Sequence, residues 1–446
     1  MSARRKEWRA TLALALPLIV AELGWIAMGL EDTMFIGRLN GEWIGAVGIG
    51  TNVYHTIAGM AGGLLLGLDT LVSQAFGAGD RRDCRRSLID GVWFAALLIP
   101  LVMVATWAVQ PLLAVAGVRT DVLAIAHPYM KVLNLGAPPL LIFFALRRYL
   151  QSVGVVRPIM FTLLVANLVN IAGNWIFVFG NLGAPALGAV GSGYATLLSR
   201  LFMVVSLGVI TYRREQELLN EDWRPSPRIR KLLSLGIPAA GQMVLEYSVW
   251  TATTVLAGRF ATEVLAGHQI ALMTVTTTFM MPLGVSSAAA VRVGQAVGRP
   301  DASGAARAGW TAVALGAIIM SASALTLLLF PDWIARIFTP DPKVIAAAVP
   351  ILRMAALFQL FDGFQVVTTG ALRGVGDTRT PMLCHFLGYW VLGFPLGLWL
   401  GFGRSMQAMG IWAGLSLGLI FVGSVLLAAW YRAARVKIPA LCSSTP

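Results

Sequence analysis

Long apolar stretches alternate with short polar ones from one end of this chain to the other. At 1.5 Å per residue, a helix needs about twenty residues to cross a hydrocarbon core of about 30 Å. Twelve stretches have that length, near residues 10–37, 43–73, 88–116, 122–150, 158–180, 187–212, 231–257, 263–291, 305–330, 344–370, 381–402 and 409–431. The pattern predicts an all-α integral membrane protein with twelve transmembrane helices.

The last six stretches repeat the first six. Leu14-Ala15-Leu16-Pro17 returns as Leu235-Gly236-Ile237-Pro238, and Gln74-Ala75-Phe76-Gly77 returns as Gln295-Ala296-Val297-Gly298, both at a shift of 221; Gly188 and Gly410 later correspond at 222. The expected organisation is an N-terminal six-helix lobe over 1–212, a cytoplasmic linker over 213–230, and a C-terminal six-helix lobe with a cytoplasmic tail over 231–446. Secondary transporters are commonly built from such repeats, with the site at the repeat interface exposed alternately to the two sides. Transport is therefore the leading functional expectation.

Composition narrows the class. At 57% hydrophobic and 12% charged over 446 residues, the chain is too apolar for a soluble protein and too long for a single anchor. A net charge of +13 would suggest nucleic acid in a soluble protein, but here the placement of Lys and Arg matters more. Alternate polar segments, including both termini, hold 25 of the 34 basic residues, and the intervening loops hold 6. Both termini are thus expected on the cytoplasmic side of the cell (inner) membrane. Lys131, Arg200 and Arg353 are the three left inside predicted spans. Cys84, Cys384 and Cys442 are too scattered to imply a disulfide framework. The first apolar run is too long for a signal peptide and has a duplicate, so it counts as a span.

Several phrases point to a known family. The second half contains Gly267-His268-Gln269-Ile270-Ala271, Phe279-Met280-Met281-Pro282-Leu283-Gly284 and Val291-Arg292-Val293-Gly294-Gln295. It also contains Phe361-Asp362-Gly363-Phe364-Gln365 and the run from Gly370 to Arg379. The first half adds Glu31-Asp32-Thr33-Met34-Phe35-Ile36-Gly37-Arg38-Leu39 and Gln74-Ala75-Phe76-Gly77-Ala78-Gly79. Together they resemble the multidrug and toxic compound extrusion (MATE) family, in its NorM-like branch, over nearly the whole chain. The resemblance implies two pseudo-symmetric six-helix lobes around a central cleft. It also implies an antiporter that exports amphipathic, cationic organic compounds, drugs or toxic metabolites, in exchange for inward H⁺ or Na⁺.

An ion-coupled exporter needs an acid inside the membrane, because ion and substrate must compete for, or alternately stabilise, one negative site. Glu22, Glu31, Asp32, Asp69, Glu246 and Asp362 lie in predicted spans. A charge at mid-helix costs roughly 2.5–3.5 kcal/mol even on the lenient insertion scale, so each needs compensation. Trp25 precedes Asp32 by seven residues and shares nearly its helical face, an arrangement that suits an organic cation. The resemblance makes Asp32 the protonation site of the N-terminal lobe. The structural alternative is an acid packed by hydrogen bonds, or neutralised by Lys131 or Arg200.

Asn167, Asn170 and Asn174 form one helical stripe able to hydrogen-bond a carboxylate or glue helices together. By resemblance, Asn170 and Asn174 stand beside Asp32, and Thr196 is a polar partner on the sixth helix. One branch of the family has aspartate where this chain has Asn174, so that branch's Asp–Asp pair is absent here. Gln242, Glu246 and Trp250 form a second polar-aromatic stripe, and Asp362 shares a face with Gln365 and Thr369. The resemblance assigns Glu246 and Asp362 to ion coupling in the C-terminal lobe. Oxygen-rich surroundings there would suit Na⁺, and an isolated desolvated carboxyl would suit H⁺. Phe358, one turn before Asp362, replaces a tyrosine expected in some Na⁺-coupled relatives, which tilts the expectation toward H⁺. Asp69 is expected to cap a helix or pair with a loop arginine, Glu31 to pack against another helix, and His268 to be structural; Glu22 has no assigned role.

The expected partners are small organic cations or amphipaths and membrane lipids, with a monomeric chain and no cofactor beyond the coupling ion. Nucleic acid and ATP are not expected, and neither a P-loop nor the clustered His or Asp of a membrane enzyme stands in the sequence. The rival reading is a lipid or lipid-linked oligosaccharide flippase of the same superfamily. It needs a basic cleft for phosphate heads, which three scattered cations do not supply.

Overall fold

The computed structural model describes residues 3–39, 41–115 and 118–443. Arg4, counted above in the basic N-terminus, and residues 444–446 of the expected tail lie outside the residues whose side chains are described. Among the described residues every element is helical. The first half holds α1 (Ala3–Gly37), α2 (Gly41–Leu64), α3 (Gly67–Gly77), α4 (Arg81–Val115), α5 (Thr120–Leu135), α6 (Ala137–Ser152), α7 (Arg157–Phe179) and α8 (Ala189–Arg214). The second holds α9 (Ile229–Ala257), α10 (Thr262–Gly298), α11 (Ala302–Leu329), α12 (Pro331–Phe338), α13 (Pro342–Val375), α14 (Arg379–His385), α15 (Phe394–Leu398), α16 (Gln407–Arg432) and α17 (Ile438–Ser443).

Ten helical stretches among the described residues are long and apolar enough to cross a membrane, and the bent pair α5–α6 makes an eleventh. α9 is a further long helix of 29 residues, about 43 Å at 1.5 Å per residue, whose Arg230, Lys231, Gln242 and Glu246 make it more polar. Large apolar side chains face outward, Trp107 at 69% and Leu168 at 64% exposure, as a lipid-facing surface requires.

The predicted span 122–150 is not one straight helix. It breaks by 47° at Gly136, where a side chain would place Cβ 2.6 Å from Nη1 of Arg200. Arg200 donates to the Leu133 carbonyl at 3.1 Å, so a cation caps the end of α5 at the break. The predicted span 381–402 also departs from a plain helix. Wide π-turns cover Phe386–Gly393 and Trp399–Gly403, and the segment packs on α16 backbone to backbone. A Cβ on Gly414 would lie 2.2 Å from the Gly397 nitrogen, so this seam requires glycine.

Two compact units divide the described chain. One comprises Val20–Phe76 and Asp80–Ala240; the other comprises Met1–Ile19, Gly77–Gly79 and Gly241–Pro446. Helices α1 and α9 therefore each pass from one unit to the other, at residues 19–20 and 240–241, shortly after Pro17 and Pro238. In the second unit, Arg292 of α10 holds Glu7 of α1 through both carboxylate oxygens at 2.7 and 2.8 Å. In the first, α9 packs so closely on α2 that a Cβ on Gly236 would meet the Leu64 carbonyl.

Candidate functional site

In the unit of Val20–Phe76 and Asp80–Ala240, helices α1, α7 and α8 build a buried polar cluster around Asp32. Asn174 donates to Oδ1 of Asp32 at 2.7 Å, and the Thr196 hydroxyl donates to Oδ2 at 2.8 Å. The second N–H of Asn174 reaches Oδ1 of Asn170 at 2.9 Å, and the Asn170 amide faces the Thr196 oxygen at 3.5 Å. Four side chains thus close a ring. Asn170 and Asn174 are fully buried, and Asp32 is 7% exposed. The asparagines are one turn apart on α7, which is why one amide can bridge its neighbour and a carboxylate on another helix. Both oxygens of Asp32 rest on neutral donors, an arrangement that satisfies the ionised form without a counter-cation.

The other candidates in this unit lie elsewhere. Asn167 donates to the Gly24 carbonyl at 3.0 Å and ties α7 to α1. Trp25 packs among Phe143, Phe144 and His55. Arg200 does not neutralise Asp32. It is 2% exposed, stacks on the Tyr54 ring at 4.7 Å and donates to the Tyr54 hydroxyl at 3.0 Å. Lys131 is exposed.

Two ion pairs correct the expectation that only three basic residues lie within spans. Arg147 and Arg148 stand on α6 within the predicted span 122–150, although the count of basic residues groups them with the polar segment that follows, and helices that run past their predicted ends carry Arg292 on α10 and Arg373 on α13. Arg147 forms a buried pair with Glu22, and Arg148 reaches Asp69 at 3.4 Å. Asp69 does pair with an arginine, but one carried by a helix rather than a loop. Nothing in local spacing signals either pair, since the partners are 125 and 79 residues apart.

In the other unit, α9, α13 and α14 assemble a second cluster. The Gln365 amide donates to Oε1 of Glu246 at 3.1 Å and to Oδ1 of Asp362 at 3.1 Å. His385, fully buried, has Nε2 at 3.7 Å from Oε2 of Glu246 and 3.4 Å from the amide of Gln242. Its Nδ1 donates to the Pro381 carbonyl at 2.7 Å. His385 has no other histidine near it in the sequence, and the fold makes it a member of the cluster. Phe358 and Trp250 both pack on Trp412. The side chains bonded to the two carboxylates present nitrogen, while Oε1 of Gln365 and the hydroxyls of Thr369 and Tyr389 are buried without a hydrogen-bond partner. Among the described residues, no group of three or more His, Cys, Asp or Glu side chains is placed to hold a metal ion.

Each of the two units of this polytopic helical chain thus holds a buried carboxylate cluster. The MatE family model matches residues 17–176 and 238–399, two segments whose starts are shifted by 221. The chain belongs to the MatE family. It is therefore a multi-pass membrane transporter of the MATE type. It is 36% identical to a probable multidrug resistance protein NorM of Mesorhizobium japonicum, covering 98% of this chain and 96% of that one. It is also 36% identical to the protein of the same description in Brucella suis, with 96% and 93% covered. The fold is similar to that of the eukaryotic MATE transporter AtDTX14, with a TM-score of 0.88 at 19% identity over 99% of this chain and 100% of the other. Within the two MatE segments fall Asp32, Asn170 and Asn174 on one side, and Glu246, Asp362, Gln365 and His385 on the other. Thr196, which completes the Asp32 ring, lies outside both.

Proposed function

We propose that this MATE transporter is a proton-coupled exporter of amphipathic organic cations. It would act as a monomer in the cell (inner) membrane, with both termini cytoplasmic and without ATP. The description shared by its relatives, multidrug resistance protein, supports the cargo class. The observation that carries the coupling is the ring around Asp32. Every group that bonds its carboxylate donates a hydrogen. A proton arriving on Asp32 turns an acceptor into a donor, so one bond of the ring must reverse or open: the Thr196 hydroxyl can turn to accept, whereas the Asn174 amide would have to flip. Oδ1 of Asn174, buried and without a partner, is the acceptor an amide flip would offer. Protonation and rearrangement of α1 against α7 and α8 are thus linked by hydrogen-bond geometry.

The Gln365 amide, which donates to both Glu246 and Asp362, supports H⁺ as the coupling ion at this pair. The flippase reading gains nothing from the additional buried arginines. Arg147 is committed to Glu22, and Arg200 to Tyr54 and Leu133.

The test is movement of a fluorescent organic cation in proteoliposomes under a pH gradient or a Na⁺ gradient imposed separately, with Asp32→Asn and Asp362→Asn alongside. The reading requires that a pH gradient alone drives movement and that both variants lose it. Movement driven only by Na⁺ sinks the proton assignment. No cation movement under either gradient moves the chain to the flippase class.

A further inference from the structure

The polar segment after α8 is bonded along the N-terminal turns of α4. Arg85 holds Glu217 and Glu221 at 2.9 and 3.0 Å, and Asp90 accepts from the Ser226 N–H at 2.8 Å and from its hydroxyl at 2.5 Å. Trp93 donates its indole N–H to the Trp223 carbonyl at 2.5 Å. These bonds bring Arg228 beside Arg82 and Arg86, and with Asp80 and Asp83 the three arginines line a cleft of about 260 Å³. Both aspartates are engaged: Asp83 pairs with Arg228, and Asp80 accepts from the Asp83 N–H at 2.8 Å. Arg82 comes only to 3.8 Å from Glu221 with its side chain 72% exposed, and Nε of Arg86 is enclosed without a hydrogen-bond partner. Three arginines against two aspartates leave the lining one positive charge in surplus. All of these residues belong to the unit of Val20–Phe76 and Asp80–Ala240.

The same face of α4 continues away from the cleft as an apolar stripe. Arg82, Arg86, Trp93, Leu97, Leu101 and Val104 follow one another at spacings of 4, 7, 4, 4 and 3 residues, so they share one side of the helix. Trp93 is 46% exposed, Leu97 62%, and Leu101 and Val104 61% each. From Trp93 to Val104 the helix climbs about 17 Å, close to half of a hydrocarbon core of about 30 Å, the depth of one leaflet. Tryptophan sits at the headgroup level of a bilayer, and arginine is suited to phosphate. Cation, then tryptophan, then exposed apolar side chains is the order a phospholipid presents from its phosphate to its acyl chain. The geometry points to a site for one anionic phospholipid, with its phosphate in the cleft of Arg82, Arg86 and Arg228 and an acyl chain along Leu97 and Leu101. A free phosphate would leave the apolar stripe uncovered, and a zwitterionic head brings a cation that the surplus charge of the lining repels. With Arg228 supplied by the segment that follows α8, the lipid joins that segment to α4. The site is separate from both carboxylate clusters and does not depend on the export reading.

The test measures equilibrium binding to the purified full-length protein in detergent, with one fluorescent acyl chain carried either by phosphatidylglycerol or by phosphatidylcholine. The wild type is expected to bind phosphatidylglycerol about fivefold or more tightly than phosphatidylcholine, and inorganic phosphate to displace it no better than chloride at equal ionic strength. Arg82→Gln and Arg86→Gln should each weaken phosphatidylglycerol about fivefold, the worth of one arginine at an anionic surface, and leave phosphatidylcholine unchanged. Arg336→Gln removes an exposed arginine of α12 and should change neither. Arg86→Lys keeps the charge should Arg86→Gln fail to fold, and the comparison of the two lipids needs no variant. Equal affinity of the wild type for both lipids overturns the inference. Wild-type affinity for phosphatidylglycerol in folded Arg82 and Arg86 variants, or an equal loss in Arg336→Gln, does so too, because the charge preference then lies elsewhere or everywhere. Displacement by inorganic phosphate beyond that by chloride assigns the cleft to a soluble anion and overturns the lipid.

Discussion

The amide of Asn174 donates to Asp32 at 2.7 Å while its other hydrogen is held by Asn170 at 2.9 Å. One side chain therefore sets both the orientation of the carboxylate and the state of its neighbour, and the Thr196 hydroxyl closes the circuit on the far oxygen.

Groups acting on one carboxylate should behave as a unit. Asn174→Leu and Thr196→Val are each expected to lower pH-driven export about tenfold, the worth of one hydrogen bond to a charged group. Asp32→Asn should abolish it, and Asn174→Leu combined with Thr196→Val should lose less than the product of the two single losses. Initial rates in proteoliposomes, normalised to inserted protein, check this. Independent, additive losses would mean that Thr196 acts elsewhere.

The Glu22–Arg147 pair makes a separate claim about stability. Both side chains are buried, at 7% and 3% exposure, so removing either strands a charge. Arg147→Met alone should destabilise the protein by about 3–5 kcal/mol, and Glu22→Gln by a similar amount. The double variant Glu22→Leu with Arg147→Met removes both charges and should recover most of the loss. Thermal melting of the four proteins in one detergent decides it, and a double variant no better than its parents would refute a direct pairing.

Much of this architecture was legible because the membrane imposes a simple code of long apolar runs. The Asp32 cluster was legible for a different reason. The asparagine stripe is local, with spacings of three and four residues, and the resemblance supplied what lies 142 and 164 residues away. Where partners are remote and no pattern marks them, the sequence is silent. Glu22 and Arg147 are such a pair, and so are Glu246 and His385. The break at Gly136 has a local signal that the pattern of apolar runs passes over, since Pro138 and Pro139 supply no N–H to the turn before them; what the sequence does not report is that Arg200 of α8 bonds the Leu133 carbonyl there. The predicted division at 213–230 follows the repeat, whereas the first residues of α1 and of α9 are grouped by packing, which sequence order does not report.

His268 stands in the most family-like phrase of the chain, and its bonds argue against a titrating role. The indole of Trp412 can only donate, and it does so to Nδ1 of His268 at 2.9 Å. The ring proton therefore sits on Nε2, which faces the Thr254 hydroxyl at 3.0 Å, and Thr254 in turn donates to the Trp250 carbonyl at 3.1 Å. Every polar atom is used in the neutral form. Trp412→Phe should cost about 1–3 kcal/mol by stranding Nδ1, and His268→Gln should lower the melting temperature while leaving the pH dependence of export where it was. A shifted pH profile in His268→Gln would contradict a purely structural histidine.

Outside the membrane, Asp301 gives a prediction in which pH sets the sign. It caps α11, with Oδ1 accepting from the Gly304 N–H at 2.7 Å and from the Ser303 hydroxyl at 2.9 Å. The Gly304 bond holds the carboxyl below its usual range, aided by Ser303 and the neighbouring Arg307 and Arg299 and opposed by slight burial. A carboxyl lowered in the folded state contributes stability above its unfolded value, about 3.9, and loses it as the pH falls through the folded value. Asp301→Ala should therefore cost about 0.5–2 kcal/mol at neutral pH, and Asp301→Asn less, because asparagine also caps. Below about pH 4 the wild type should lose this advantage, and the melting curves of wild type and Asp301→Ala should converge. A gap between them that persists unchanged into acid would mean that the cap does not depend on the charge.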